Sequence, residues 1–589
     1  MNRSSNDCVC SAICAKLWFL LCLSATVDTR LFVYSSLSQS LLAEFPILFI
    51  DAFAIVHAIG HRQRILSDVL QWAVVTWGIY LLCHANSVSV AEDYRLTYLL
   101  LTLSLLLSLP YLLRVGLLRW STVVDGILLI GGVQIVWMTL QAVGIVPSAN
   151  DFFDVTGSNE NPNATAMLLA AVLPLSIMET RRGRHHICYA IFSLVCLVFL
   201  LVLQCRSAFL GLLVFGLVRS VGAQGVRMRW RNLPNRWKMC IVAVVAVFFA
   251  AAAMISYHVK QDSADGRLLV WKLSAAMIRE NPQGVGIGLF EKAYNLRQAD
   301  YFASGCSTAA ERHLASAVAM AYNDFLEHGV SAGFVGLLFS VAVCAMLLRK
   351  AYRACDFEGL GLLSTFVAMA SVNFFCAAVQ PWLVALAVAS RVVAVNGQSS
   401  VGQSSKWRVA LQVAALLLCG VALYCVVGRT GAQMALYRLE AKSGRGEKVC
   451  MADAAALQSH IGTSEAYWRF MSRLYYADSD YDSALSCALK AAQYTSAPSV
   501  FLSVNRCYRR IGVPEKGLRY LQTVRWMLPH NLTVREGLLD YYIDHEMTSE
   551  ASAMAREIMN MPIKVKSERA DRIRRRAMEY LDRQSTEKQ

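Results

Sequence analysis

Thirteen runs of about 20 apolar residues divide the first 428 positions of this 589-residue chain. Hydrocarbon offers a backbone no water to bond, so each run must satisfy its own amides and carbonyls as a helix. The approximate limits are 10–27, 38–58, 66–84, 95–113, 122–146, 162–180, 186–204, 206–222, 238–257, 325–348, 359–379, 381–398 and 407–427. The eleventh and twelfth runs are separated only by Gln380 and Pro381. Composition agrees: 56% of residues are hydrophobic and 16% charged, where soluble domains carry roughly 25% charge. An ordinary soluble protein, a disordered chain, collagen and a coiled coil are all excluded. Most of the 18 cysteines lie inside apolar runs and none forms a CxxC pair, so they read as small hydrophobes rather than zinc or redox ligands. The first run, Ala15 to Val27, lacks a small-residue cleavage site and reads as a retained membrane helix.

The net charge of +15 would suit nucleic acid in a soluble protein. Here the bases sit in short loops, so membrane topology explains them and no nucleic-acid partner is expected. With the N-terminus inside, the inner loops hold nineteen Lys and Arg, while the first three outer loops hold only Arg30 and Arg95. That asymmetry predicts an outward-facing loop from about 258 to 321 and, with thirteen spans, an outward-facing C-terminal region. The expected domains are a polytopic membrane domain, 1–428, including that loop, and a soluble helical domain, 429–589.

In the C-terminal region three helix starts recur. Ala484, Gly517 and Ala551 stand at equivalent places, 33 and 34 residues apart. The spacing predicts tetratricopeptide-like helix pairs with a small residue where paired helices touch; an unrelated helical bundle is the alternative.

Four segments carry candidate chemistry. In the long loop, Asp265 is a candidate N-cap, which would put Arg267 in the first helical turn, where a cation beside amide donors suits a phosphate; Trp271 follows one turn on. A surface arginine is the plain alternative. Gly284, Gly286 and Gly288 read as a helix stop rather than a phosphate loop. Arg206 falls at the outer junction of two spans, where it either faces an anion or cavity or snorkels to the interface. The segment Gly157 to Asn163 includes Pro162, which suits a first helical turn; Asn159 or Asn161 would cap that helix, and Asn161 and Asn163 could also meet sugar hydroxyls. Tyr322, Asn323, Asp324, Glu327 and His328 bring polar groups into the mouth of the tenth span, ahead of Gly333-x-x-Gly336, a spacing that allows close helix packing. Asp478-Ser479-Asp480 reads as a solvated turn rather than a metal-binding DxD, and no Walker, HExxH, GxSxG or Rossmann signature is present.

Taken together these residues resemble the O-antigen ligase and O-antigen polymerase superfamily, glycosyltransferases that use lipid-linked oligosaccharides. Asn323, nine residues and then Gly333-x-x-Gly336 match its signature, as do Cys205-Arg206-Ser207-Ala208, Gly266-Arg267 ahead of Trp271, and Asn161-Pro162-Asn163. The resemblance covers roughly residues 150–345; helical-repeat tails accompany some members. It implies an all-α, GT-C-like polytopic helix bundle of about 13 spans with a tetratricopeptide-like domain, in a bacterial inner membrane, its site facing the periplasm. It further implies a polyprenyl-diphosphate-linked glycan as donor, an acceptor glycolipid, glycan or protein, and contact with membrane lipid. No cofactor and no metal are expected, and the tail would recruit a protein partner.

On this reading Arg206 and Arg267 stabilise the diphosphate, Asn323 positions the acceptor and Tyr322 lines the site. Asn161, Asn163, Trp271, Asp324, Glu327 and His328 bind substrates. Tyr322 stands where the family has a histidine. A tyrosine of pKa about 10 is a poor base at neutral pH, so Asp324, Glu327 or His328 serves, the reaction needs little base, or the chain has an altered acceptor or lost activity. The rival classes are a lipid-linked glycan transporter and a membrane-anchored scaffold. Ligase, polymerase and protein O-oligosaccharyltransferase share such a site and stay open.

Overall fold

A computed structural model describes residues 5–27, 32, 35–84, 94–150, 152–182, 185–222, 232–240, 261–395, 405–561 and 567–586. The ninth apolar run from 241 on, the start of the long loop to 260, and Arg30 lie outside them. Every other apolar run is a helix, and no strand occurs among the described residues. The chain is an all-α, multi-pass membrane protein.

Two compact units are present: residues 1–259 with 322–447, and residues 260–321 with 448–589. The first contains α1 (Ser5–Ser24), α2 (Ser35–Gly60), α3 (Val69–Cys83), α4 (Tyr94–Arg114), α5 (Trp120–Ala142), α6 (Pro162–Arg181), α7 (His186–Leu203) and α8 (Arg206–Gly222). After the long loop, α12 (Asp324–Arg353), α13 (Phe357–Ala370), α14 (Val379–Val395) and α15 (Lys406–Gly444) complete it. The intervening α9 (Gln261–Glu280), α10 (Phe290–Ala303) and α11 (Ala309–Leu314) belong to the second unit.

Among the described residues, eight helices are long and apolar enough to cross a membrane, and α3, α13 and α14 are shorter apolar helices. The short ones depart from the thirteen equal spans of the sequence. At α13 and α14 the cause is a non-helical connection, 371–378, in place of a break at Gln380-Pro381. Pro381 sits in the first turn of α14, where its missing N–H removes no helical bond.

Small residues set the close approaches, as expected where helices associate by packing rather than by exclusion from water. A Cβ on Gly126 of α5 would fall 2.3 Å from Nε1 of Trp18 on α1, and that indole donates to the Val123 carbonyl at 3.1 Å. A Cβ on Gly211 of α8 would meet Thr365 and Met369 of α13, and the Thr365 hydroxyl donates to the Gly211 carbonyl at 2.9 Å. Arg429 on α15 is buried and donates to Glu44 on α2 at 2.5 Å and to Thr97 on α4 at 3.1 Å. Removing one partner of such a pair costs about 3–5 kcal/mol, so it fixes α15 against α2 and α4.

In the second unit, short α16 (Met451–Ala456) and α17 (Gln458–Ile461) lead into three helix pairs. These are α18 (Glu465–Ala477) with α19 (Tyr481–Ala491), α20 (Pro498–Ile511) with α21 (Pro514–Met527), and α22 (Leu532–Asp544) with α23 (Thr548–Asn560); α24 (Glu568–Thr586) follows. First helices start at 465, 498 and 532 and second helices at 481, 514 and 548, the 33- and 34-residue steps of the sequence. Ala484 and Ala551 are fully buried, and a Cβ on Gly517 would meet Asn505 at 2.7 Å and Tyr508 at 3.2 Å. The small residues therefore stand where helices touch. Asp480 caps α19 through the Ser483 amide, which makes Asp478-Ser479-Asp480 a turn.

Candidate functional site

Two helix starts in the first unit carry candidate residues, and the 371–378 connection joins them. At the α7–α8 junction Gln204 takes a left-handed conformation (φ 48°), which turns the chain sharply enough for α8 to begin two residues later at Arg206. The leading amides of a helix have no carbonyl behind them, so the partly buried Arg206 guanidinium stands beside a dipole end that favours anions. Buried Ser207 follows; its hydroxyl lies 3.2 Å from the Cys205 thiol and accepts a 2.8 Å bond from the side-chain amide of Asn373, which is itself buried.

The second helix start is α12. Tyr322 is also left-handed (φ 51°), a strained conformation for a residue with a bulky side chain. Asn323 caps α12, its side-chain oxygen accepting the Leu326 amide at 3.1 Å. The Asp324 carboxylate accepts the Cys376 amide at 2.8 Å, and the Tyr322 ring meets Phe374 edge-on at 6.1 Å. Asn373, Phe374 and Cys376 thus tie Ser207, Tyr322 and Asp324 to one short segment.

The same connection continues into Gln380, which is buried and reaches the third candidate segment. Its amide group donates to the Ser158 hydroxyl at 3.2 Å and the Ala25 carbonyl at 3.0 Å, and its oxygen accepts from Asn159 at 3.3 Å. Gln134 and Gln141 hold the Thr156–Ser158 backbone from α5. Asn161 caps α6 through the Asn163 amide at 2.9 Å; its oxygen serves the helix end, while Asn163 sits partly exposed in the first turn.

Deeper in α12, Gly333 is a kink with φ 74°. The bend leaves the Ala332 carbonyl to accept the Tyr80 hydroxyl at 2.6 Å. His328 Nε2 accepts from the Trp77 indole at 3.2 Å, so that lone pair is engaged by α3. Glu327 lies between, half-buried.

Arg267 and Trp271 belong to the second unit. The described helix α9 already runs from Gln261, so Asp265 lies inside it and Arg267 is not in a first turn. The sequence reading of Asp265 as N-cap fails because the residues ahead of it are helical too. Arg267 and Trp271 are four residues apart and so share a face of α9, and the Trp271 indole donates to the Ala321 carbonyl at 3.1 Å. Gly284, Gly286 and Gly288 all take positive φ in the turn between α9 and α10, the helix stop expected.

Asn373, Cys376 and Gln380 were missed by the sequence reading, which ran a span through 359–379. The visible signal was the polar Ser371, Asn373 and Gln380 next to Pro381 within an otherwise apolar stretch.

Residues 191–341 match a family model described as O-antigen ligase. That stretch runs from α7 into α12 and contains Arg206, Arg267, Tyr322, Asn323 and the Gly333 kink. No curated protein matches the chain.

Proposed function

We propose that the chain transfers a glycan from a polyprenyl-diphosphate donor to an acceptor hydroxyl at the periplasmic face of a bacterial inner membrane. The family match points to glycan transfer of the O-antigen ligase type. The observation that carries the finer reading is the 371–378 connection with Gln380 at the start of α14, which together draw the Arg206 helix start towards Tyr322, Asp324 and the Asn159–Asn163 segment.

In this mechanism the acceptor oxygen bonds the anomeric carbon as the carbon–oxygen bond to the diphosphate breaks, and the electron pair leaves on the diphosphate. Arg206 and Arg267 meet that charge, since arginine keeps its proton and grips phosphate with parallel donors. Asp324, held by the Cys376 amide, takes the acceptor proton; the His328 lone pair at Nε2 is already occupied. Asn323 fixes the α12 start, Tyr322 lines the site, and Asn161, Asn163, Trp271 and Glu327 contact the sugar and the acceptor. We read the region after α15 as a tetratricopeptide-like module on the same side as the long loop. Two facts support this: 260–321 and 448–589 form one compact unit, and the described helices between them that are long enough to cross are α12 and α15, an even number.

Arg206→Lys and Arg267→Lys, with membrane levels checked, test the diphosphate assignment. Each should lower transfer by about a hundredfold or more, the loss typical of one transition-state donor; full transfer in either overturns it. Deleting the gene separates the acceptors. Bare core lipid means a ligase, single repeats a polymerase, and glycan-free periplasmic proteins a protein O-oligosaccharyltransferase. Release of free polyprenyl diphosphate by purified protein excludes a transporter and a scaffold.

A further inference from the structure

The long loop does not fold on itself alone. Its central helix, α10, packs on α21 within the second unit, and its side chains carry bonds in two directions. Asn295 is fully buried. Its amide oxygen accepts the Val318 amide at 3.0 Å, and its amide nitrogen donates to the Val318 carbonyl at 3.2 Å and to the Ser496 hydroxyl at 3.0 Å. Gln298, also buried, donates to the Ser316 carbonyl at 3.0 Å and to the Met527 carbonyl at 2.9 Å. Ser316 and Val318 belong to the loop's non-helical return segment, while Ser496 and Met527 belong to the helical module. Glu291 adds a third tie, its two oxygens accepting the Ser496 hydroxyl at 2.8 Å and the Thr495 hydroxyl at 2.9 Å.

In the return segment, 315–321, the Val318 amide and carbonyl bond Asn295, the Ser316 carbonyl accepts from Gln298 and the Ala321 carbonyl accepts from the Trp271 indole. A buried backbone group without a partner costs about 1–3 kcal/mol, so the path of this segment follows the placement of α10. It leads directly into Tyr322 and Asn323 in the sequence, and Trp271 lies one turn beyond Arg267.

We propose that the C-terminal helical module is a built-in positioning element for the long loop. Asn295 and Gln298 are the positioning residues through which Ser496 and Met527 set the return segment and, with Trp271, the Arg267 face of α9. The module is then part of the working site, and recruitment of another protein is not needed to explain it. This rests on the glycan-transfer reading above.

The test uses full-length protein purified in detergent, with lipid-linked glycan extracted from a host strain lacking this gene. Gln298→Met removes both donors at similar size, Ser496→Ala removes the hydroxyl, and Ser496→Thr keeps it. Gln298→Met and Ser496→Ala should slow turnover by about tenfold to a hundredfold, as small misplacements of catalytic groups do, with the donor KM little changed. Ser496→Thr should restore it. Hydrogen exchange should quicken at 315–321 and in α9 in the two damaging variants while α22 and α23 stay protected; that protection reports whether the module has folded. Normal turnover despite quickened exchange overturns the proposal, as does unchanged exchange. A wild type that releases no polyprenyl diphosphate overturns the glycan-transfer reading instead, and the exchange result still decides whether the module holds the loop.

Discussion

The side-chain amide of Asn373 donates a 2.8 Å bond to the hydroxyl of Ser207, the residue after Arg206. Both are buried, Asn373 in the connection between two apolar helices and Ser207 in the first turn of α8, and the Asn373 oxygen accepts the amide of Phe374, whose ring meets Tyr322. Asn373→Ala should therefore lower stability by about 1–3 kcal/mol, the loss expected when a buried partner is left unmade. Ser207→Ala removes the same bond, so the double variant should lose less than the sum of the singles. Thermal unfolding in detergent measures the cycle; strict additivity would show that the bond does not link the two segments.

The kink in α12 depends on Gly333 at φ 74° and ψ −176°, a backbone region open essentially to glycine alone, which an L side chain opposes by about 1–3 kcal/mol. Gly333→Ala should lower the unfolding temperature and weaken the bond from Tyr80 to the Ala332 carbonyl. Tyr80→Phe in that background should then have a smaller effect than in the wild type. An equal effect in both would detach the kink from Tyr80.

Acid should loosen the α11 end of the long loop. Burial acts to raise the Glu311 carboxyl, but Lys272, the Thr308 amide and the Tyr301 hydroxyl together outweigh it and hold the group down at about 2, from an ordinary value of 4.5. A depressed carboxyl adds stability that is fully present above 4.5 and is lost as pH falls toward 2. Amide exchange in α11, corrected for its intrinsic pH dependence, should lose protection across that window in the wild type. Glu311→Gln should show less protection at neutral pH and a flat profile; a wild-type profile that is already flat counts against the Lys272–Glu311 tie.

Gly517 stands where α21 closes on Asn505 and Tyr508 of α20. The Cβ of Gly517→Ala meets the end of the Asn505 amide at 2.7 Å, Tyr508 Cβ at 3.2 Å and the Asn505 Cα at 3.3 Å, and Gly517→Val adds two methyl groups to the same space. The valine variant should lose about 1–3 kcal/mol, typical of overpacking, and the alanine variant clearly less. Unfolding of the module followed by far-UV circular dichroism ranks them, and equal losses would argue against a contact limited by size.

The apolar runs foretold helices because lipid leaves a backbone no other choice, and the spacing of Ala484, Gly517 and Ala551 foretold where paired helices meet. Asn161 as a cap and the three glycines as a stop were also legible, since both are local. The 371–378 connection was not. A turn buried among helices can be as apolar as a span, so hydropathy does not separate them, and the signs of it are Ser371, Asn373 and Gln380 beside Pro381. Asp265 misled because capping residues also occur inside helices, and the first described turn of α9 lies ahead of it. The tie between α10 and the module was invisible because an amide and a hydroxyl 201 positions apart in the chain meet there.

That separation has a consequence for biogenesis. At roughly 5–20 residues per second, Asn295 waits about 10 to 40 seconds for Ser496 to be synthesised, and four membrane helices must be inserted in between. Through that interval the nascent loop has no seat for α10 and displays amides and apolar side chains meant for burial. A ribosome that stops before the module therefore leaves a substrate for proteases and chaperones, so quality control acts on the loop and the tail as one product.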